Sequence, residues 1–351
     1  MKRTRICSNI KRAVALLLCL VSALGLAACG DAKMEQKQVI AMDTIMTLTA
    51  YGKQAEAGLN AAEAVILSMD AMLDPELPTS TVYAINHAAG ANTVVSAQIA
   101  KMLSTAQTVY KQTGGALDLT LYPLIKRWGF VDGKYYVPTE EEILSGLSRL
   151  CFDRLVLTSF PASGSYAVSL PAAGEISFGA IAKGCASENA IDAMRQAGVT
   201  SGIVSLGGNV QTLGLKPDGT QWTVAIQDPN DTEKWVGVIS VGETAVVTSG
   251  SYQRFFTQKN VTYHHILNPK TGRPSGSGLL SATIICEDGT MADALSTAMF
   301  VLGETKALNY WRTYGGFEMI LITNDYRIIC TKGLIERFTQ TNDSYTLRFS
   351  E

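Results

Sequence analysis

Hydrophobic and polar residues recur along this chain with two periods, and these periods predict both strands and helices. Alternation over Val39–Gly52 predicts one strand. Helical spacing predicts helices at Gln54–Met72, Ser80–Asn86, Ser96–Thr113, from Thr290 onward and at Lys306–Tyr314. Shorter apolar runs predict strands at Glu175–Phe178, on both sides of Gly207–Gly208, at Trp222–Asp228, Trp235–Val241, Leu279–Cys286, Met319–Thr323, Arg327–Thr331 and Tyr345–Phe349, with a hairpin tip at Lys259–Asn260. This order predicts an α+β fold with mixed and antiparallel sheets and flanking helices.

The first 28 residues have the pattern of an export signal. A basic stretch precedes an apolar run that is short for a membrane span and ends in small residues. The run closes in LAAC, which resembles a bacterial lipobox with Cys29 as the lipidated residue; ordinary cleavage beside an incidental cysteine is the alternative. We expect a lipoprotein signal peptide at 1–28, a polar tether at 29–38 and the folded domain at 39–351. The protein would then be exported and lipid-anchored to the outer face of the bacterial cytoplasmic membrane.

Composition narrows the classes of partner and site. Hydrophobic residues are 47% and charged residues 17% of the chain, enough for a large core. A net charge of −2 indicates no nucleic-acid partner. Cys151, Cys185, Cys286 and Cys330 lack CxxC spacing, so we expect buried free thiols rather than a metal cluster, with a disulfide as the alternative in an exported protein.

The stretch Tyr263–Phe300 holds the densest set of reactive side chains. His264 and His265 stand together at its start, before a turn rich in Pro and Gly. Further on, Asp293 and Thr297 lie four residues apart and hence on one face of a helix. Such a carboxylate and hydroxyl suit Mg²⁺ as hard oxygen ligands. The alternative is a carboxylate that complements the helix dipole and a Thr that bonds back to a carbonyl.

A second informative stretch is Gly174–Asp192, where a predicted strand runs into a helix carrying Lys183. Small residues at Gly179 and Ala180 let a backbone or a ligand approach closely. A lysine near a helix N-terminus suits a phosphate or an adenine ring. The spacing of a Walker A loop is absent, and a tight packing turn between strand and helix is the alternative.

Two shorter signals leave a structural and a functional interpretation open. Asp118 lies in an otherwise apolar segment, where it is either a helix cap beside Pro123 or a carboxylate of the site. Gly207, Gly208 and Asn209 predict a hairpin or a close contact between backbone and ligand.

Several motifs, in this order, resemble those of the FAD:protein FMN transferase (ApbE) family. They are MDT at Met42–Thr44, S-x-V-x-x-I-N at Ser80–Asn86, GALDLT at Gly115–Thr120, GAIAKG at Gly179–Gly184, SLGGN at Ser205–Asn209, TSGSYQRFF at Thr248–Phe256, YHHILNPKTGRP at Tyr263–Pro274 and ADALSTA at Ala292–Ala298. No single motif is decisive, but the ordered set is specific and covers essentially the whole chain after the signal. The resemblance implies an ApbE-like, T-fold-like architecture for 39–351.

The resemblance also implies an activity and its residues. Members bind FAD and Mg²⁺ and move FMN onto a Thr or Ser hydroxyl of an acceptor protein, here a membrane redox protein, releasing AMP. The implied FAD contacts are Met42, Ala116, Leu117, Asp118, Lys183 and Leu267. The implied metal ligands are the Ala180 carbonyl, Asp293 and Thr297, with Ser296 a weaker candidate. His265 is the implied catalytic base and His264 its neighbour.

These residue types suit the reaction. Attack on the FMN-side phosphorus places negative charge on pyrophosphate oxygens, which Mg²⁺ stabilises. A histidine can take the hydroxyl proton near neutral pH. Three positions depart from the family: Ser177 and Asn268 stand where Asp is usual, and Asp43 replaces the Gly of Met-Gly-Thr.

Two other functions fit the same residues. With water in place of the acceptor hydroxyl, the protein would be an FAD pyrophosphatase giving FMN and AMP. Without chemistry, it would be a flavin-binding lipoprotein, which the lipobox fits equally well. The combination of His265, Asp293 and Thr297 favours an enzyme, because binding alone needs no base beside a metal site.

Overall fold

One large sheet organises the part of the chain that the computed structural model describes, residues 33–350. The strands are β1 Met34–Ala41, β2 Thr44–Tyr51, β3 Thr93–Val95, β4 Val156–Phe160, β5 Ser165–Ser169, β6 Gly202–Leu206, β7 Asn209–Leu213, β8 Trp222–Asp228, β9 Asp231–Val241, β10 Ala245–Gly250, β11 Phe255–Gln258, β12 Val261–His264, β13 Leu279–Cys286, β14 Glu318–Thr323, β15 Arg327–Thr331, β16 Phe338–Gln340 and β17 Thr346–Ser350. The helices are α1 Ala55–Leu73, α2 Thr81–His87, α3 Ala97–Thr113, α4 Tyr122–Arg127, α5 Glu140–Leu147, α6 Ala182–Gln196, α7 Gly289–Leu302 and α8 Glu304–Tyr314.

The sheet is mixed but mostly antiparallel. Nine strands follow the order β1-β2-β6-β7-β10-β13-β14-β15-β17. Neighbours are antiparallel except β15 and β17, which are parallel. Smaller sheets are β16-β9-β8, β3-β5-β4 and the ribbon β11-β12. The predicted α+β class with mixed and antiparallel sheets and flanking helices is confirmed.

The two faces of the large sheet are covered differently. Val247 and Ile284 point to one face and share a core with residues of α1, α3, α6 and α7. Their chain neighbours Val246 and Ile285 point to the other face and pack against β8 and β9. On the helical face, α6 lies over β6 and β7 while α7 lies over β10 and β13. These two helices carry Lys183 and Asp293.

The prediction of one strand over Val39–Gly52 was wrong. The chain reverses at Met42 and Asp43, whose φ angles are 48° and 58°, and β1 pairs antiparallel with β2. Two successive left-handed residues form the tight turn that suits a twisted hairpin. The sequence gives no sign of this reversal because Met42 and Asp43, rather than Gly, Asn or Pro, occupy the turn.

The predicted polar tether was too long. β1 begins at Met34, so Met34–Gln38 belong to the sheet, paired with Thr47–Tyr51 of β2. Their polar side chains lie on an edge strand that faces solvent, which gives a strand the composition of a tether. The predicted signal peptide and Cys29 lie outside the described residues.

The segment Glu175–Phe178, predicted as a strand, is an extended loop without a strand partner among residues 33–350. Asn86 fixes it: its Oδ1 accepts from the Ile176 N–H at 2.8 Å, and its Nδ2 donates to the Ile176 carbonyl at 3.0 Å. The Ser177 N–H donates to the Leu119 carbonyl at 3.1 Å. These bonds replace a ladder and direct the chain into α6.

Buried thiols agree with the expectation. Cys151, Cys185 and Cys330 are buried, Cys286 is half-buried, and all four are free. Within residues 33–350, none of the helices combines the length and the apolar character that crossing a bilayer requires.

Candidate functional site

Three turns separated in sequence meet at one end of the large sheet. The β1–β2 turn touches the β6–β7 turn so closely that a Cβ on Gly207 would lie 2.6 Å from Thr44 Oγ1. The Gly208 carbonyl accepts from the Thr248 N–H of β10 at 3.2 Å. After β10, Arg254 places a guanidinium nitrogen 3.8 Å from the Asp43 carboxylate. The MDT, SLGGN and TSGSYQRFF motifs therefore share one end of the sheet.

Asp293 is held by the packing of two helices. α6 crosses α7 where Gly184 has no side chain; a Cβ there would lie 2.1 Å from the Gly289 carbonyl oxygen. Asp293 is 3% exposed, and its Oδ2 accepts from the Gly184 N–H at 2.8 Å. The cap of α7 is Asp288, which accepts from the Met291 N–H at 2.8 Å. Asp293 thus does not serve its own helix terminus.

That bond leaves two oxygens of the site without partners. In a regular helix the Gly184 N–H would donate to the Ala180 carbonyl, four residues earlier. Because it donates to Asp293 instead, the Ala180 carbonyl has no hydrogen-bond donor among residues 33–350. Asp293 Oδ1 also makes no hydrogen bond to a described residue. The Ala180 carbonyl oxygen and Asp293 Oδ1 are therefore both free. The hydrogen bond between Gly184 and Asp293 holds together the two segments that carry them.

A hydroxyl cluster lies one helical turn beyond Asp293. Ser249 Oγ on β10 is 2.7 Å from Ser296 Oγ and 3.2 Å from Thr297 Oγ1. Ser296 is fully buried and donates to the Asp293 carbonyl at 2.8 Å, whereas Thr297 is half-buried. Thr297 is therefore the more available hydroxyl. Sequence reasoning missed Ser249, although a serine among the apolar residues of β10 was its signal.

The donor set fits Mg²⁺ rather than a soft metal. No three His, Cys, Asp or Glu side chains converge as a metal site anywhere in residues 33–350. The oxygens that Ala180, Asp293 and Thr297 offer are instead a free carbonyl, a free carboxylate oxygen and a half-buried hydroxyl that bonds to Ser249, all hard ligands. Mg²⁺ prefers oxygen ligands and keeps several bound waters, so it suits these three ligands.

His265 has one defined tautomer. The main-chain N–H of His265 and its ring Nδ1 both form hydrogen bonds to the Arg254 carbonyl oxygen, at 3.0 and 3.1 Å. Since a carbonyl only accepts, Nδ1 carries the proton and Nε2 keeps its lone pair. Burial first, and then the charges of Arg254 and Lys183, lower the pKa of His265 to about 3. The ring is therefore neutral at pH 7 and can accept a proton at Nε2.

His264 has a structural setting. Its Nε2 donates to the Ser275 carbonyl at 3.3 Å, and its ring meets Phe300 of α7 edge-on, with centroids 5.5 Å apart. Burial lowers its pKa. The residue thus joins the ribbon β11-β12 to the helix that carries Asp293.

The residues implied as flavin contacts divide into two groups. The side chains of Ala116, Leu117 and Leu267 are buried, those of Leu117 and Leu267 in hydrophobic clusters, so their main-chain atoms are the ones available to a ligand. Met42 is half-buried at the β1–β2 turn, where its N–H donates to Asp70 Oδ1 at 2.9 Å. Lys183 is half-buried at the second position of α6 and has no ion pair within the described residues.

Asp118 is a cap, as the structural interpretation predicted. It precedes the short 3₁₀ turn Leu119–Leu121 and accepts from the N–H and Oγ1 of Thr120, at 2.7 and 2.5 Å. Burial raises its pKa. The Leu119 carbonyl in turn holds Ser177, so Asp118 supports the loop that leads to Ala180 and Lys183.

Two of the residues that depart from the family pattern, Ser177 and Asn268, still make hydrogen bonds within their turns. Ser177 Oγ accepts from the Gly179 N–H at 3.2 Å, and Asn268 Oδ1 accepts from the Lys270 N–H at 2.9 Å. A short oxygen-bearing side chain makes either turn, as Asp would. Asp43 occupies the left-handed conformation that a Gly adopts without strain, and it gains only a long contact with Arg254.

The sequence profile of the ApbE family matches residues 42–321. This chain belongs to the ApbE family. Every motif that meets at the site lies inside the matched range. The candidate site therefore lies within the part of this chain that matches the family.

Relatives agree over nearly the full length. The FAD:protein FMN transferase of Treponema pallidum is 31% identical over 343 residues, which cover 92% of this chain and 94% of the relative. The crystal structure of the ApbE protein from Thermotoga maritima is 26% identical, covers 86% of this chain and 98% of its own, and has a TM-score of 0.79. The apo flavinyl transferase ApbE of Pseudomonas stutzeri is 26% identical, with a TM-score of 0.75 and coverage of 89% and 100%. The ApbE-like architecture is confirmed.

Proposed function

We propose that this protein transfers FMN from FAD to a Thr or Ser hydroxyl of an acceptor protein and releases AMP, with Mg²⁺ as its metal. The observation that carries the proposal is the pair of free oxygens on Ala180 and Asp293, on helices that also bring Lys183 within electrostatic reach of His265. The name of the Treponema relative supplies the reaction.

Residues of this chain bind the pyrophosphate of FAD and accept the proton of the acceptor hydroxyl. Lys183, at the N-terminus of α6, attracts the pyrophosphate of FAD through its charge, which adds to the positive end of the helix dipole. Nε2 of His265 accepts the proton of the acceptor hydroxyl, whose oxygen forms a bond to the FMN-side phosphorus. The bond from that phosphorus to the bridging oxygen breaks, and AMP leaves with the electron pair.

The pKa of His265 bears on this step. A base whose pKa is about 3 holds a proton weakly. The two cations that lower the pKa, Arg254 and Lys183, are also those that a bound pyrophosphate would neutralise. Binding of FAD would therefore raise the pKa of His265 by the part that these charges cause, while the larger lowering caused by burial remains.

Ala180, Asp293 and Thr297 would hold Mg²⁺, which would supply positive charge against the negative charge that develops on the pyrophosphate. The structure supports this placement through the free Ala180 and Asp293 oxygens and the half-buried Thr297 hydroxyl. Ser296 contributes less because its hydroxyl already donates to the main chain.

The cellular setting belongs to the same proposal. A lipidated Cys29 would anchor the protein at the outer face of the cytoplasmic membrane, beside an acceptor redox protein of that membrane. The described domain supports this arrangement because β1 begins only five residues after Cys29, so the domain would remain close to the bilayer.

The test compares acceptor-dependent and acceptor-independent chemistry. The purified protein is incubated with FAD and Mg²⁺, with and without a Thr-bearing acceptor, and both AMP and covalently bound FMN are measured. We expect one FMN on the acceptor for each AMP released. AMP release at an equal rate without acceptor would establish the hydrolase instead.

The hydrolase is the second candidate function, because the free Nε2 of His265 would accept a proton from water as readily as from a hydroxyl. A flavin-binding lipoprotein is the third possibility in the same assay. FAD that stays intact through long incubation with Mg²⁺ and acceptor would identify it.

A further inference from the structure

Asn209, the first residue of β7, has a buried amide without a partner. Its side chain is 1% exposed, and Nδ2 is sealed from solvent with no hydrogen-bond acceptor in residues 33–350. Its Oδ1 makes no hydrogen bond to a described residue either. A buried donor without a partner destabilises the folded protein. Such a group in a native fold calls for a ligand or another compensating role.

The register of the sheet fixes the face on which this amide lies. Asn209 pairs with Val247 of β10, and Gln211 pairs with Ala245. Val247 and Ala245 point to the helical face, and directly paired residues share a face. Asn209 therefore points toward α6 and α7, not toward β8 and β9.

α7 places Asp293 over this position. At the start of α7, a Cβ on Gly289 would lie 2.4 Å from Gln211 Oε1. Two turns further along α7, the Thr297 hydroxyl bonds to that of Ser249. Ser249 lies two residues after Val247 in β10 and so on the same face of the sheet. Asp293 stands midway between Gly289 and Thr297, and Val247 stands midway between Ala245 and Ser249. Asp293 thus lies over the Val247–Asn209 pair.

α6 approaches the same position with its N-terminus. Ser187 donates to Gln211 Oε1 at 3.1 Å. Toward its other end, Met194 contacts Gly202, which pairs with Leu213 at the far end of β7. The helix therefore advances from Leu213 toward Asn209 as it is followed back to Lys183. Ala180, Lys183 and Asp293 enclose the side of the sheet on which the amide lies.

We propose that Asn209 is a substrate-binding residue whose Nδ2 donates to a pyrophosphate oxygen of FAD. The inference rests on the proposed function, since FAD is the anion that the site would take. An amide nitrogen adds a neutral donor between the Lys183 cation and the metal ligands, and a hydrogen bond to a charged oxygen is among the stronger ones. The unpaired donor of the free protein is then satisfied only in the complex.

The test is Asn209→Leu, which keeps the approximate shape and removes both amide atoms. Ser201→Ala is the matched control: Ser201 Oγ is also buried and unpartnered, but it lies before β6, at the opposite end of the sheet from the turns. FAD affinity is measured by titration, and thermal stability is measured without FAD. We expect Asn209→Leu to bind FAD about 10- to 100-fold more weakly, with a melting temperature equal to or above wild type. Ser201→Ala should bind FAD like wild type.

A structural role gives the opposite result. If Asn209→Leu melts lower and the folded fraction binds FAD normally, the proposal is overturned. Should that variant not fold, Asn209→Ala, which cannot overfill the space, repeats the measurement.

Asn209→Asp separates the donor from a metal ligand. It replaces Nδ2–H by a second anionic oxygen, so a phosphate donor predicts weaker FAD binding, whereas unchanged or tighter binding in Mg²⁺ would make Oδ1 a metal ligand and refute the donor role. Wild-type protein that binds no FAD refutes the proposed function itself. Wild-type binding with an unaffected Asn209→Leu refutes only this inference.

Discussion

At the scale of single residues, the environment of His265 has a consequence for stability that needs no substrate. The folded protein holds this ring neutral, with a pKa of about 3, while an unfolded histidine has its ordinary pKa near 6.5. Between these values the unfolded chain binds one more proton, so the free energy of unfolding falls as the pH falls. This contribution is lost below pH 6.5 and not above it.

His265→Gln should therefore flatten the pH dependence. Between pH 7 and pH 5 the wild type should lose about 2 kcal/mol more of its unfolding free energy than the variant, in urea titrations at both pH values. Parallel losses in the two proteins would show that the ring is protonated in the folded state at pH 5.

Removal of the Asp293 carboxylate should impair FMN transfer. Asp293→Ala keeps a good helix former and removes the only charged oxygen of the Ala180–Asp293–Thr297 set. We expect FMN transfer to collapse at limiting Mg²⁺. Stability in EDTA should fall by no more than about 1–3 kcal/mol, the cost of leaving the buried Gly184 N–H unpaired.

Asp293→Asn is the matched variant, because its amide oxygen can still accept from Gly184. It should keep the stability of the wild type and, like Asp293→Ala, lose FMN transfer at limiting Mg²⁺. Normal transfer by either variant with Mg²⁺ limiting would remove Asp293 from the metal site.

Residue types and spacing predicted this part of the site only in outline. The four-residue spacing of Asp293 and Thr297 indicates a shared face, and the structure adds that Ser249 bonds to Thr297 from a neighbouring strand. Contacts between distant segments, such as Arg254 with His265, depend on the register of β11 and β12. Periodicity along one segment carries no information about that register.

At the scale of elements, the crossing of α6 and α7 determines where Asp293 lies. The small residues of GAIAKG admit a close approach, and the structure shows that the approaching group is the backbone of α7. Glycine is required at 184 because any Cβ would collide with main-chain atoms, which cannot rotate away.

Gly184→Ala should separate the two helices. We expect a loss of at least about 1–3 kcal/mol in unfolding free energy, despite the better helix propensity of Ala, together with weaker Mg²⁺ binding. Gly179→Ala in the same motif is the control, since its Cβ would meet only Ser177 Oγ, at 3.5 Å. Equal stability of the two variants would mean that the crossing is looser than described.

Most helices and strands were predicted well, and Leu279–Cys286 and Arg327–Thr331 are observed with the predicted bounds. The errors lie at the β1–β2 hairpin and at Glu175–Phe178, where the pairing of the chain decides the structure. The Ala-rich helix, predicted at Gln54–Met72, is observed at Ala55–Leu73, because its apolar stripe follows the helical period. The β1–β2 hairpin was missed, since its turn uses Met42 and Asp43 instead of the Asn or Gly that usually marks a left-handed turn.

At the scale of the whole molecule, the two faces of the large sheet have different roles. Its helical face carries the groups proposed to bind FAD and metal, and its other face packs against β8 and β9. β1 runs along the edge from Met34, near the predicted anchor, to the Met42 turn at the site. The edge strand thus connects the proposed point of attachment to the proposed point of chemistry.

This geometry frames the prediction for Cys29→Ser. Five Cα–Cα steps separate Cys29 from Met34 and span at most about 18 Å, so a lipid on Cys29 would hold the domain at the bilayer. Among the described residues, the core begins with Val39 and Ala41 of β1. We therefore expect the variant to move to the soluble fraction after a carbonate wash, with the wild-type melting temperature and the wild-type rate toward a soluble acceptor. A membrane-embedded acceptor should be modified more slowly, because the two proteins no longer share a surface. Variant protein that stays with the membrane would refute lipidation at Cys29, whereas release accompanied by a lower melting temperature would show that the anchor also stabilises the fold.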